Sequence, residues 1–415
     1  MPDLVPLIAL AALGAFALYM VVLACAEVLR LVRARAAHEA ERELLNARIS
    51  QLSSPISRLQ ALGGESAWSG FRKFVLQGKV LEAEDTCSFY FAPHDGQPLP
   101  AFLPGQYLTF RLPIPGHDRP LTRCYSLSDS PTHPDYYRVT VKRLKGEVDG
   151  LVSTFLHQEL QPDDLVDVKA PSGQFHLDSE THGPVVLIGG GVGITPALSM
   201  LNYITATGSS RETWLFYGVR DSSQQVQREY LRQLGTENEN VRLNICFSQP
   251  GPNDELGRDF DHAEWVTVDL LKRLLPSNNY DFFICGPAAM MDSLTHDLTA
   301  WGVPKSKIHF EAFGAATVKR VSRDLPPSGA NSIEVEFARS GNTLGWDGSA
   351  ASLLEFAEAS GIPMESGCRA GNCGSCLTAI RSGTVEYLHE PGAPVEEGTC
   401  LTCISIPKGN LVLDA

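Results

Sequence analysis

The sequence predicts a multidomain chain: an N-terminal transmembrane helix, an antiparallel β-barrel, an α/β nucleotide-binding domain, and a small C-terminal domain that opens as a hairpin followed by a helix. Three observations carry that expectation. Leu4 to Ala26 runs 23 residues without a charge. From Phe71 onward, short β-rich runs such as FVLQGKVLEA, YLTFRL and YYRVTVKRL are separated by Gly and Pro. The segment VVLIGGGVGITPALSML then reads as apolar strand, glycine turn and apolar-periodic helix. At 415 residues the chain exceeds one ordinary domain of roughly 100 to 200 residues. The expected divisions are an anchor at 4–26, a helical spacer at 27–69, the barrel at 70–180, the α/β domain at 181–316, a linker at 317–331 and the C-terminal domain at 332–415.

The anchor follows from length and charge. Twenty-three apolar residues at about 1.5 Å each cross a hydrocarbon core of about 30 Å. Arg30, Arg33 and Arg35 follow the stretch, so the positive-inside rule puts the N-terminus outside and the remaining domains in the cytoplasm. A cleaved signal peptide would carry its charges on the other side and a shorter apolar core. Residues 36–52 mix charges with Leu44, Leu45, Ile49 and Leu52 at helical spacing, which suits a solvated linker helix better than a self-association helix.

Composition narrows the partners. A net charge of −14 with no clustered Lys and Arg argues against nucleic acid. From Ser332 to the end, eleven acidic side chains face four basic ones, which is either an acidic docking surface for a basic partner or a solvated face. Five of the ten cysteines fall between Cys368 and Cys403, a clustering that reads as metal ligation in a reducing compartment rather than as disulfides.

In the barrel the marked strand is Arg123-Cys124-Tyr125-Ser126: a fixed charge, an aromatic face and a hydroxyl close together. With PGQY (Pro104 to Tyr107) and VKR (Val141 to Arg143), this segment resembles the ferredoxin-NADP reductase superfamily, whose Arg-x-Tyr-Ser strand holds a flavin. The resemblance implies that Arg123 meets the pyrophosphate, Tyr125 lies beside the isoalloxazine with Cys124 in the same strand, Ser126 is near N5, and Tyr107 helps on the adenine side. Val152 and Ser153 match the superfamily's Gly-x-Val-Ser segment, where a helix start meets flavin phosphates. Ser153 as an ordinary helix cap is the alternative. A pyrophosphate site favours FAD over FMN.

In the α/β domain the loop Gly191, Val192, Gly193, Ile194, Thr195 and Pro196 departs from the Gly-x-Gly-x-x-Gly fingerprint, since Ile194 stands at the third glycine, but it matches the superfamily's nucleotide loop. The resemblance implies that the strand end in WLFYGVRDSSQ meets the adenosine ribose, where Asp221 suits a 2′-OH while Arg220 pulls toward a 2′-phosphate, so NAD(P)H is expected, with a lean to NADH. Cys285, Gly286 and Pro287 match the Cys-Gly-Pro motif over the nicotinamide, though any buried Cys packs there equally well. IHFEAFG resembles the close of the flavohaemoglobin reductase part, which implies Glu311 and Phe313 at the flavin. That resemblance spans roughly residues 70 to 320 and includes no globin, so it does not carry nitric oxide dioxygenation to this chain.

The C-terminal domain holds Cys368, Cys373 and Cys376 at the plant-type Cys-x4-Cys-x2-Cys spacing for a [2Fe-2S] cluster. The fourth ligand is Cys400 or Cys403. The ferredoxin pattern Gly-x-x-Leu-x-Cys matches Gly398, Leu401 and Cys403 and selects Cys403, with Leu401 and Cys403 on one strand face. Zinc is the alternative for any four cysteines, and the plant-type Cys-x4-Cys-x2-Cys run disfavours it. SIEVEFARSGNTLGWDGSAASLLEFAEASGI then reads as the entry of a β-grasp ferredoxin domain.

The domain order resembles the phthalate dioxygenase reductase arrangement. It implies electrons passing from NAD(P)H through FAD and [2Fe-2S] to a one-electron acceptor such as an oxygenase, desaturase or cytochrome. Cys285, Glu311 and Ser126 are the expected catalytic set. Quinone reduction is an alternative, and a redox-sensing or structural subunit is an alternative of another class.

Overall fold

The computed structural model describes residues 68–117, 119–132, 135–144, 150–178, 181, 183–313, 333–389 and 391–415. The expected anchor at 4–26, nearly all of the spacer at 27–69 and the linker at 317–331 lie outside the described residues. Among the described residues no helix is long and apolar enough to cross a membrane.

The first domain is a six-stranded antiparallel sheet built from β1 (Phe71–Ala83), β2 (Thr86–Pro93), β3 (Tyr107–Leu112), β4 (Leu121–Ser126), β5 (Tyr137–Lys142) and β6 (Leu165–Ser172), in the order β4-β3-β6-β1-β2-β5. A bridge between Leu127 and Val139 joins the β4 edge to β5, so the sheet curls into a barrel. Inward residues alternate along each strand and fill one core, with Phe74, Leu76, Phe89, Phe91, Leu108 and Phe110 fully buried. Helix α1 (Leu151–Gln158) closes one end by burying Val152 and Leu156 against that core.

The second domain is a five-stranded parallel sheet flanked by helices: β7 (Val185–Gly190), α2 (Ile194–Ala206), β8 (Thr213–Val219), α3 (Arg228–Glu237), β9 (Val241–Phe247), α4 (Val268–Leu274), β10 (Asp281–Cys285), α5 (Ala288–Ala300) and β11 (Ile308–Glu311). Strand order is β11-β10-β7-β8-β9. The two-residue period of β7 sends Val185 and Leu187 into a core with α2 and α3, and Val186 and Ile188 into a second core with α4 and α5. Apolar runs without alternation are therefore what a sheet covered on both faces requires. Chain order reverses between β7 and β10, which creates a crevice at their carboxyl ends.

The third domain is a mixed sheet of β12 (Ile333–Phe337), β13 (Asn342–Trp346), β14 (Leu377–Ser382), β16 (Thr399–Leu401) and β18 (Leu411–Leu413). A ribbon of β15 (Val385–Tyr387) with β17 (Ser405–Pro407) and helix α6 (Leu353–Ala359) complete it. Val335, Phe337, Leu353, Ala357 and Leu413 form its centre.

A buried polar network joins barrel to nucleotide domain just past the marked strand. Asp129 pairs with Arg138 at 3.4 Å and accepts from the Tyr136 hydroxyl at 3.0 Å and Asn202 Nδ2 at 3.2 Å; Ser199 of α2 donates to its carbonyl at 2.8 Å. A buried charge so fully partnered is stable only in one arrangement, and that arrangement presents the end of β4 to the β7 and β10 ends.

Candidate functional site

A cavity of about 500 Å³ lies where the three domains meet, within the size range of cofactor sites. It is lined by Tyr107, Arg123, Cys124, Tyr125, Ser126, Val152 and Ser153 of the barrel, by Gly191, Val192, Gly193, Thr195, Gly286, Pro287, Glu311 and Phe313 of the nucleotide domain, and by Cys368 of the third domain. Ile194 and Pro196 are instead buried as α2 begins. Cys285 is buried behind the wall, in register with Glu311 on the adjacent strand. Asp221 is outside the lining: its carboxylate caps the turn Ser222–Gln224, accepting from Ser223 N at 3.0 Å, and pairs with Arg220 at 2.9 Å.

The crevice wall depends on two glycines that let strand ends touch. A Cβ on Gly193 would stand 2.3 Å from the Cys285 carbonyl oxygen, and one on Gly190 would stand 2.8 Å from the Pro287 ring. The first contact is with backbone and the second with a proline ring, so the loops after β7 and β10 lie side by side.

Three helix starts face the cavity, at Gly150, Gly193 and Pro287, and none has a side-chain cap. Away from the lining, α4 and α6 are capped by Thr267 and Ser352, whose oxygens accept from Leu270 and Glu355 N–H, while α3 starts at Gln227 without a side-chain cap. Uncapped N–H groups around a cavity are what phosphate oxygens satisfy. Ser153 is not a cap: its hydroxyl donates to the Gly150 carbonyl at 2.9 Å and accepts from Leu144 N at 3.2 Å. Arg123 donates to the Thr122 carbonyl at 2.8 Å, and burial followed by the nearby Arg369 guanidinium lowers its pKa, a crowding that a bound anion relieves.

Ser126 donates to Glu311 Oε2 at 3.3 Å, and both are buried. Burial pushes the Glu311 carboxyl up to about 8, only partly offset by that hydrogen bond, so it holds its proton at neutral pH. Tyr125 packs edge-on against Phe110 with centroids 5.8 Å apart, its phenol pushed up by burial.

The four cysteines stand as two pairs. Cys376 and Cys403 have sulfurs 3.2 Å apart, and Cys373 sulfur accepts from Cys368 N at 3.2 Å. Ala370 N and Asn372 N donate to Cys368 sulfur at 3.4 and 3.2 Å. Among the described residues no three His, Cys, Asp or Glu side chains converge on one ion. Two thiol pairs inside a nest of N–H donors suit two irons with two protein sulfurs each better than a single tetrahedral zinc. The loop achieves this with Arg369 at φ 57° and Gly371 at φ 75°. Strand β16 ends at Leu401, and Cys403 lies in a short 3-10 turn over Thr402–Ile404; the turn, rather than a shared strand face, carries its sulfur to Cys376, while Cys400 is buried in the sheet core.

Sequence reasoning missed Asn372, which also lines the cavity. Tyr107 donates its hydroxyl to the Asn372 carbonyl at 2.9 Å, across a separation of 265 residues. No local pattern encodes such a contact.

The chain matches family models in three consecutive segments: an oxidoreductase FAD-binding domain over 73–177, an oxidoreductase NAD-binding domain over 187–296, and a 2Fe-2S iron-sulfur cluster binding domain over 338–408. A flavohemoprotein of Halalkalibacterium halodurans is 38% identical over 260 residues, covering 62% of this chain. The chain spans about 62% of that relative's length. Among solved structures, the flavohem-like FAD/NAD-binding domain of nitric oxide dioxygenase from Vibrio cholerae O1 biovar El Tor is 31% identical, with 59% of this chain and 99% of that one covered and a TM-score of 0.53. Phthalate dioxygenase reductase, a modular structure for electron transfer from pyridine nucleotides to [2Fe-2S], is 28% identical, with 83% and 98% covered and a TM-score of 0.55.

Proposed function

The chain belongs to the ferredoxin-NADP reductase superfamily, with flavin, nucleotide and 2Fe-2S domains in the phthalate dioxygenase reductase order, and from that premise we propose that it carries electrons from NAD(P)H to a one-electron protein acceptor. The observation that carries this reading is the single cavity lined at once by the flavin strand, the nucleotide loop and the cluster loop. Bound there, FAD supplies the conversion of a two-electron hydride into single electrons, and the cluster supplies their onward passage.

The chain's own residues do the rest. Arg123 and the helix start at Gly150 hold the flavin phosphates, and Tyr125 covers the ring. Gly191 to Thr195 take the nucleotide phosphates against the start of α2. Ser126 and the protonated Glu311 stand as a hydrogen-bonded pair, able to orient the reacting face and exclude water. Cys368, Cys373, Cys376 and Cys403 hold the cluster. Asp221 favours NADH, since its carboxylate would face a 2′-phosphate and already engages Arg220.

An oxygenase is the acceptor best supported, by likeness to a reductase named for a dioxygenase. The uncharged run Leu4 to Ala26 tethers the catalytic domains to the cytoplasmic face of a membrane, where its acceptor resides. Purified full-length protein is expected to reduce a one-electron acceptor such as cytochrome c with NADH and to sediment with membranes until residues 1–30 are removed. Absence of turnover with any one-electron acceptor would refute the enzyme reading, and full solubility of the intact chain would refute the tether.

A further inference from the structure

The superfamily strand Arg-x-Tyr-Ser leaves its second position open, and here a cysteine occupies it. Antiparallel register pairs Cys124 with Thr109 and Ser126 with Tyr107, so these four side chains share one face of the β3–β4 pair. That face meets the cluster loop, because Tyr107 donates to the Asn372 carbonyl beside Cys373. The Cys124 sulfur lies 3.4 Å from Thr109 Oγ1, with the Cys373 side chain next to it. Its remaining exposure is into the flavin cavity, which it lines together with Cys368. One thiol thus borders both the flavin space and the sulfur of a cluster ligand.

We propose that Cys124 is a positioning residue that donates an S–H···S hydrogen bond from the flavin barrel to Cys373, stabilising the reduced cluster and easing the single-electron step into it. The inference rests on the reading of the chain as a flavin-to-cluster relay. The physical basis is charge. A cluster that accepts one electron becomes more negative, its ligand sulfurs gain part of that charge, and each donor aimed at them stabilises the reduced form. Cys373 already takes a donor from Cys368 N at 3.2 Å within its own loop; Cys124 adds one from the domain that delivers the electron. Thr109 holds the thiol in place, and its own hydroxyl can donate to Cys124 sulfur so that the thiol proton faces Cys373. Docking of the two domains and tuning of the acceptor are then one contact.

The test uses full-length holoprotein with Cys124→Ala and Cys124→Ser, reduced stepwise with dithionite under an EPR-monitored potential, so that NADH plays no part. Cys124→Ala is expected to shift the cluster's reduction equilibrium about tenfold toward the oxidised form, about 59 mV more negative for a one-electron couple. A change in the cluster's g-values accompanies it. Cys124→Ser keeps a donor and recovers most of the shift. An unchanged potential and spectrum in Cys124→Ala overturns the proposal, and so does an equal shift in both variants, which would assign the effect to packing. Where Cys124→Ala loses flavin or cluster, Thr109→Val frees the thiol without altering the strand motif and is read in the same way; no shift there overturns the proposal. Failure of the relay reading is distinct: wild-type cluster would stay oxidised with NADH yet respond to dithionite.

Discussion

Glu311 is the buried group whose behaviour is most sharply defined by the structure. Its carboxyl sits at the end of β11, buried, with a single hydrogen bond from Ser126 at 3.3 Å, and is displaced from 4.5 to about 8 by burial. The folded pKa lies above the unfolded one, so the folded state binds this proton more tightly. Its contribution to stability is fully present below pH 4.5 and is lost progressively as pH rises to about 8. At about 1.4 kcal/mol per pH unit, the loss across that window is about 5 kcal/mol. A flavin packed over the site excludes water further and acts in the same direction. Glu311→Gln keeps the shape and the hydrogen bond but cannot ionise, so it removes that slope. The assay is the thermal midpoint of holoprotein, wild type against Glu311→Gln, measured from pH 5 to 8.5 along with the infrared band of a protonated carboxyl. The wild type is expected to lose midpoint relative to the variant as pH rises and to show a carboxyl band at pH 6 that the variant lacks. Parallel midpoints, or no such band, would refute the reasoning from burial.

Other expectations follow from contacts already described. Gly193→Ala drives a methyl into the Cys285 carbonyl at 2.3 Å, and overpacking of this kind costs about 1 to 3 kcal/mol; a calorimetric fall in stability with weaker NADH binding checks it. Cys403→Ser is expected to abolish the cluster EPR signal while the flavin absorbance survives, whereas Cys400→Ser leaves both, because only Cys403 stands beside Cys376. Asp221→Ala releases Arg220 and removes a carboxylate, so the ratio of kcat/KM for NADPH over NADH is expected to rise about tenfold, equivalent to roughly 1.4 kcal/mol; an unchanged ratio would take Asp221 out of nucleotide selection.

The features legible in the sequence were those whose physics is local. The glycines after β7, the Cys368 to Cys376 spacing and the alternation of β3 each encode their geometry within a few residues, and Tyr107, Ser126 and Glu311 line one cavity. The position of Cys403 beside Cys376 was expected, but the route was not: a two-residue period assumes a continuing strand, whereas backbone turns after Leu401. Ile194 and Pro196 belong to the nucleotide loop by wording, yet a helix that starts in mid-loop sends their side chains into the domain core. The Tyr107 to Asn372 bond and the Cys124 to Cys373 contact arise only when two separately coded domains dock, and no period, cap or spacing in either segment signals them.

The central claim, that electrons run from NADH through flavin to cluster inside one chain, is tested most directly by anaerobic titration of the purified protein with NADH. Flavin absorbance and the low-temperature EPR signal of the cluster are followed together. Flavin bleaching with the appearance of the reduced-cluster signal is the predicted result; bleaching while a dithionite-reducible cluster stays silent would contradict it.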